Sequence, residues 1–203
     1  KKKINNVIIE ASSHGLHQDR LHHIDFKAAI FTNFSQDHLD YHKNMNSYLN
    51  AKLILFKKIL NKKAKIILDK NINQFNILKN IGKNRGLRII ETGEIIKKIK
   101  NISLNEKSDF KIKNLAMACL AAKLSGLKEK NILKSLKKIK DVNGRLELIK
   151  KFPNGVKVFI DYAHTPDALE KVLRSLNINY AKNITLVFGC GGDRDRKKRS
   201  LMA

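Results

Sequence analysis

What most restricts this chain's fold is an alternation of short β-branched runs with longer segments of helical spacing. Val7-Ile8-Ile9, Ala28-Ala29-Ile30-Phe31, Lys65-Ile66-Ile67-Leu68 and Arg88-Ile89-Ile90 have the length and composition of buried strands. Val156-Lys157-Val158-Phe159-Ile160 and Ile184-Thr185-Leu186-Val187-Phe188 add two more. Between them, Ser47 to Leu60 carries Leu49, Leu53, Phe56 and Leu60 at helical intervals. Leu115 to Leu124 is alanine-rich and closes at Gly126, a C-cap signal. Asn131 to Ile139, and Asp167 to Leu176 with Pro166 at its entry, complete the expected helices. Parallel strands need a crossover between them, so this order predicts an α/β fold on a mainly parallel sheet. No internal repeat interrupts it. The turn at Val142-Asn143-Gly144-Arg145 follows a helix and precedes a fresh strand–helix–strand series, which marks a domain boundary.

Composition narrows the function classes. The chain sets 42 Lys and Arg against 18 Asp and Glu, a net charge of +24, while 42% hydrophobic residues exclude wholesale disorder. Only eight of those cations are arginines; the lysines are scattered among abundant Asn and Ile, the imprint of an AT-rich coding sequence. Nucleic-acid surfaces concentrate arginine and interleave aromatics, which are 6% here, so no nucleic-acid partner is expected. The rival reading, a basic nucleic-acid-binding protein, would reveal itself by salt-dependent DNA retention indifferent to metal or nucleotide. No apolar run approaches the ~20 residues of a membrane span. Cys119 and Cys190 lie far apart and form neither a disulfide framework nor a CxxC knuckle, which points to a reducing cytoplasm. Lys3 runs straight into a strand and Leu201-Met202-Ala203 stops inside an expected helix, as in a piece of a longer protein.

Polar clusters recur at the expected strand exits, where α/β sheets place ligands. Glu10-Ala11-Ser12-Ser13-His14 follows the first run; its carboxylate suits a hard cation such as Mg²⁺, and its serines equally suit a helix N-cap. Asp37-His38-Leu39-Asp40-Tyr41-His42 follows the second. His38 and His42 are spaced like a zinc pair, but Leu39 stands where HExxH needs its general base, so zinc proteolysis is not expected. The run fits a metal and phosphate site, or a helix cap. Lys52 reads on spacing as one solvated helix lysine among many. Asp161-Tyr162-Ala163-His164-Thr165-Pro166-Asp167 follows a later strand. Gly189-Cys190-Gly191-Gly192-Asp193-Arg194-Asp195-Arg196 follows the last, with glycines for close backbone approach and arginines able to grip a carboxylate or phosphate. It is neither GxGxxG nor a P-loop. Cys190, with no histidine near it in sequence, reads as a packing residue.

Taken in order, these runs resemble the Mur ligases. The resemblance rests on Glu10 to Leu16 with Gln18 and Arg20, Phe31 to His42, Tyr48-Leu49-Asn50-Ala51-Lys52, Asn143-Gly144-Arg145-Leu146-Glu147, Asp161 to Asp167 and Gly189 to Arg199. Only residues 61–107 carry no motif. It implies a central P-loop-NTPase-like domain with a mostly parallel sheet over residues 1–147, its phosphate loop missing, and the start of a Rossmann-like C-terminal domain over 148–203. It also implies an ATP-dependent amide-bond ligase of peptidoglycan precursor synthesis. The pattern is nearest the member that adds the third peptide residue, with meso-diaminopimelate favoured by the glycine loop. In that chemistry ATP phosphorylates the D-Glu carboxylate of UDP-MurNAc-L-Ala-D-Glu, and the incoming diamino acid attacks the acyl phosphate. A neighbouring ligase of the pathway or a folylpolyglutamate synthetase is the alternative within the family.

By position, the resemblance implies Glu10, His38 and Lys52 as Mg²⁺ ligands, Lys52 as a carbamate (N6-carboxylysine) with a catalytic role beside His38. Ser12, Gln18 and Arg20 match contacts to the UDP-MurNAc-dipeptide, and Arg194 the arginine for the incoming amino acid. Asn114, Arg145 and Asp161 match nucleotide contacts. Of the family's Phe-Asn-x-x-Asn, Phe110-Lys111-Ile112-Lys113-Asn114 keeps only the second Asn. The GxxGKT loop, the uridine-binding domain and Asp-Asn-Pro-Arg would lie outside both ends, so this polypeptide alone is expected to be inactive.

Overall fold

The computed structural model describes residues 3–102, 108–140, 142–180, 183–191, 195–196 and 198–203. Its first part runs α1 (Ser13–His17), β1 (Ala28–Phe31), α2 (Leu39–His42), α3 (Met45–Ile54), a π-helical turn (Leu55–Ile59), β2 (Lys65–Leu68), α4 (Phe75–Arg85) and β3 (Arg88–Glu91). There follow α5 (Gly93–Lys100), α6 (Asp109–Leu124), α7 (Glu129–Ser135) and a 3-10 turn (Leu136–Lys138). The last part holds β4 (Glu147–Lys151), β5 (Lys157–Ile160), α8 (Pro166–Asn179) and α9 (Lys198–Met202).

The expected parallel sheet is β1-β2-β3, with Ala28 opposite Lys65 and Lys65 opposite Arg88. Strand β2 lies in the middle and is apolar without alternation because both of its faces are covered: Ile66, Ile67 and Leu68 are fully buried. Leu53, Phe56 and Leu60 from the α3 segment, Leu78 from α4 and Phe31 from β1 complete this core. A second core joins Ile95 and Ile99 of α5, Ile112, Ala116 and Cys119 of α6, and Ile132 and Leu136 beyond. All three parallel strands end at the same edge, where their exits carry Thr32, Asp69 and Thr92.

Several expected elements differ. Val7-Ile8-Ile9 forms no strand, and Ile8 is 90% exposed. Ile184 to Phe188 likewise joins no strand among the described residues, with Val187 92% exposed. β-branched composition supplies propensity, whereas a strand also needs a ladder partner, and neither run has one here. The run at 156–160 becomes β5, which pairs antiparallel with β4 and stays apart from the parallel sheet. The helix expected from Ser47 begins at Met45, where Asn44 accepts from Ser47 N, and turns π-helical at Leu55. The Arg85 guanidinium stabilises that turn, donating to the carbonyls of Phe56 (2.9 Å) and Leu60 (2.8 Å).

Candidate active site

α1 forms because Ser12 caps it, its Oγ accepting from Gly15 N at 3.1 Å. A Cβ on residue 15 would stand 3.2 Å from that Oγ, a tight contact that favours glycine here. The helix is fastened to α2 and α3 by rings. His42 Nε2 lies 2.9 Å from Ser13 Oγ, and its imidazole stacks on Tyr48 at 5.3 Å. His14 meets His38 edge-on at 5.0 Å, and His17 Nδ1 lies 2.9 Å from the Tyr41 hydroxyl.

His38 is the pivot of the loop after β1. Its φ of +57° is left-handed, a strained choice for a residue with a Cβ. The conformation is held by its own neighbour: His38 N donates to Asp37 Oδ1 at 2.9 Å. Burial pulls the His38 imidazole below its ordinary pKa and Asp37 opposes that, while His14 and Lys52 add to the lowering. The ring is therefore neutral at pH 7, the form that can ligate a cation.

Lys52 lies one helical turn beyond Tyr48 on the same face of α3. Its Nζ sits 5.5 Å from the Tyr48 ring centre and 5.7 Å from that of Phe31. Burial lowers its pKa below the usual lysine range, opposed by the charges of Glu10 and Asp37. Lys52 thus lies within electrostatic reach of Glu10 and Asp37 on one side and of His38 on the other. Among the described residues, His, Cys, Asp and Glu side chains alone make no group of three able to hold a metal.

The remaining expected residues divide. Ser12 is occupied as an N-cap, and Gln18 Nε2 donates to the Tyr41 hydroxyl at 3.3 Å, so both lie on α1 beside the histidines. Arg20 is exposed just beyond. Arg145 and Asp161 come together: Asp161 accepts from Leu146 N (2.6 Å) and Ala163 N (2.7 Å), and the Arg145 guanidinium stacks 4.7 Å over Tyr162. Asn114 is exposed on α6. Two residues earlier on that helix, Ile112 is buried, and the next residue, Lys113, bridges Asp69 and Asp109, each at 3.1 Å. Asp69, 2% exposed at the exit of β2, therefore draws in the cation of Lys113, while the position of the family's first Asn is held by Lys111. These carboxylates raise the Lys113 pKa against the opposing effect of burial. Arg194 lies outside the described residues. Cys190 is half-buried with its Sγ 3.7 Å from Met202 Sδ, in keeping with a packing residue.

Sequence reasoning missed Asp37 as an individual residue. Its carboxylate faces His38, His164 and Lys198, and the adjoining Gln36 reaches Asp195. A carboxylate in the loop after a parallel strand is the available signal, but its partners are remote in sequence.

A parallel sheet whose exits carry polar and titratable side chains, flanked by helices, is an α/β architecture of the kind that places ligands at that edge. The chain matches the family described as Mur ligase middle domain over residues 1–133, and that described as Mur ligase, glutamate ligase domain, over 144–203; it belongs to the Mur ligase family. It is 38% identical over 231 residues to a UDP-N-acetylmuramoyl-L-alanyl-D-glutamate–2,6-diaminopimelate ligase of Wigglesworthia glossinidia brevipalpis, covering 100% of this chain and 45% of that protein. Relatives with the same description in Rickettsia montanensis and Clostridium botulinum are 39% and 38% identical over 98% and 99% of this chain. The chain thus spans under half the length of these relatives. Among solved structures, MurF from Acinetobacter baumannii superposes with a TM-score of 0.57 at 17% identity, covering 73% of this chain and 37% of that one. A mutant L. casei FPGS gives 0.58 at 16%, covering 80% and 45%, and at such identities the likeness concerns the fold alone.

Proposed function

We propose that the protein to which this chain belongs is an ATP-dependent ligase that joins a diamino acid, meso-diaminopimelate, to UDP-MurNAc-L-Ala-D-Glu in the cytoplasm. The observation that supports this reading is a buried Lys52 with a lowered pKa, within electrostatic reach of both Glu10 and His38, in a Mur ligase chain. Relatives bearing the diaminopimelate description support the choice of amino acid. Residues 1–147 are assigned to the central domain and 148–203 to the start of the C-terminal one.

The donor chemistry fits Mg²⁺ on one condition. Glu10 and His38 offer one carboxylate and one neutral imidazole, and a carbamate on Lys52 would add the oxygen ligand that an ammonium cannot. The lowered Lys52 pKa leaves more neutral amine for that reaction with CO₂. Bound there, Mg²⁺ supplies charge stabilisation for phosphoryl transfer to the substrate carboxylate. The chain's own residues orient the reactants. Ser12, Gln18 and Arg20 line α1 and the loop after it, on the side where the UDP-MurNAc-dipeptide would lie. Arg145, held against Tyr162, presents a guanidinium suited to phosphate, and Asp161 fixes the turn that carries it. Asn114 is assigned to the nucleotide and Arg194 to the incoming amino acid's carboxylate. No nucleic-acid partner is part of this reading, and among the described residues no helix is long and apolar enough to cross a membrane.

The test is phosphate release from ATP by the intact protein with UDP-MurNAc-L-Ala-D-Glu, Mg²⁺ and bicarbonate, adding meso-diaminopimelate or L-lysine in parallel. Release that requires meso-diaminopimelate is expected. Folded protein that releases none with either amino acid overturns the assignment.

A further inference from the structure

Two consecutive side chains after β1 reach out of the N-terminal half and end on the C-terminal segment. Asp37 Oδ1 lies 3.4 Å from Lys198 Nζ, and Oδ2 lies 3.3 Å from His164 Nε2. Gln36 Nε2 donates to Asp195 Oδ2 at 3.2 Å. On the far side Asp195 and Lys198 are tied together, since Lys198 N donates to Asp195 O at 3.2 Å. Two of the partners are withdrawn from solvent, Asp195 at 7% exposed and Lys198 at 9%, while His164 lies at the exposed rim. A second polar seam lies between the same halves, where the buried hydroxyls of Ser108 and Ser175 meet and Asn179 Nδ2 donates to Ser108 Oγ at 3.4 Å.

We propose that Gln36 and Asp37, closing on His164, Asp195 and Lys198, form a polar clasp that positions the two halves of the active site. The proposal rests on the ligase reading above. Its neighbours in sequence give the clasp its purpose. Asp37 precedes His38, assigned to the metal, and holds that residue's left-handed backbone through its amide. Asp195 follows Arg194, assigned to the incoming amino acid. The contacts therefore fix the distance between the activated carboxylate and the attacking amine, to which a transferring centre is sensitive at the scale of ~1 Å.

A polar seam differs from an apolar one in being reversible. Buried ions are stable only when paired, and each regains water once the halves separate. Docking then stays near balance, as entry of substrates and release of products require. Gln36, Asp37, His164, Asp195 and Lys198 are positioning residues; none is assigned to the reacting atoms.

The experiment uses the intact protein with Asp37→Asn, Lys198→Met and the double variant. Asp37 also supports His38, so the coupling between the two changes is the discriminating quantity. Each single change is expected to raise KM for the amino acid about tenfold with kcat within about threefold, and the double variant to be no worse than the worse single. Effects that multiply overturn the clasp. A second readout needs no turnover: hydrogen exchange of the His38, Tyr41 and His42 amides, without substrates, in the parent and in Lys198→Met. Faster exchange there is expected, with thermal unfolding of each variant as the folding check. Unchanged exchange overturns the clasp even in an active ligase. Faster exchange in a protein that releases no phosphate supports the clasp and removes the ligase reading instead. Asp195→Asn keeps the side chain's shape and serves as a milder variant, expected to loosen the same amides.

Discussion

Lys52 illustrates how a residue's chemistry is set by what surrounds it. Spacing makes it one more helix lysine, and nothing in composition separates it from the others. The fold sets it against Phe31 and Tyr48 with Glu10 and Asp37 as its nearby charges, so burial lowers its pKa and the carboxylates limit the fall. In the intact protein, Lys52→Arg keeps a cation but cannot form the carbamate; ligation measured by phosphate release should drop at least about a hundredfold. A variant within a few-fold of the parent would remove Lys52 from the site. Other residues were readable from local chemistry alone. Ser12 and Thr165 are N-caps because Ser and Thr before a helix satisfy its free amides, and the structure shows both accepting those bonds. Asp37 was not readable in this way, because its partner Lys198 lies 161 residues away. Pattern rules see neighbours along the chain; they do not see across the fold.

Among elements, the helical unit is tied by charge at Glu129, the first residue of α7. Its carboxylate meets Lys98 of α5 and Lys123 of α6, and those two partners hold its pKa down to about 2 from an ordinary 4.5. A depressed acid contributes stability that is present above its unfolded pKa and lost as pH falls through the folded one. Urea unfolding should therefore show a loss between about pH 4.5 and pH 2 that Glu129→Gln removes in part. An NMR titration placing the Glu129 carboxyl near an ordinary glutamate would contradict the clamp. Helix centres were more legible than helix ends. α6 was expected from Leu115 but begins at Asp109, since its first turns are polar and lysine-rich. α4 and α5 were missed for the same reason: their buried stripe is narrow, Leu78 with Gly82 and Ile95 with Ile99, set among Asn and Lys. The strands of the parallel sheet were legible because burial on two faces demands continuous apolar runs. The same composition at Val7–Ile9 and Ile184–Phe188 misled, as partners and not propensity decide a strand.

At the scale of the whole molecule, a strongly cationic surface coexists with unpaired apolar segments. Exposed runs of this kind associate with one another or with dyes that seek apolar surface. The 203-residue chain should bind an apolar dye and self-associate, and Ile8→Lys with Val187→Lys should reduce both; unchanged dye fluorescence would mean those runs are covered in solution. The distances along the chain also differ sharply between the molecule's two kinds of contact. The parallel sheet closes over residues 28–91, and the polar contacts from Gln36 and Asp37 wait for residues 164–198. Local closures cost less chain entropy and come first, while distant ones come late. During synthesis the sheet can thus assemble while the C-terminal segment is still inside the ribosome. For that interval Asp37 stands in water beside a finished core, and its contacts form only when the segment carrying His164 and Lys198 emerges.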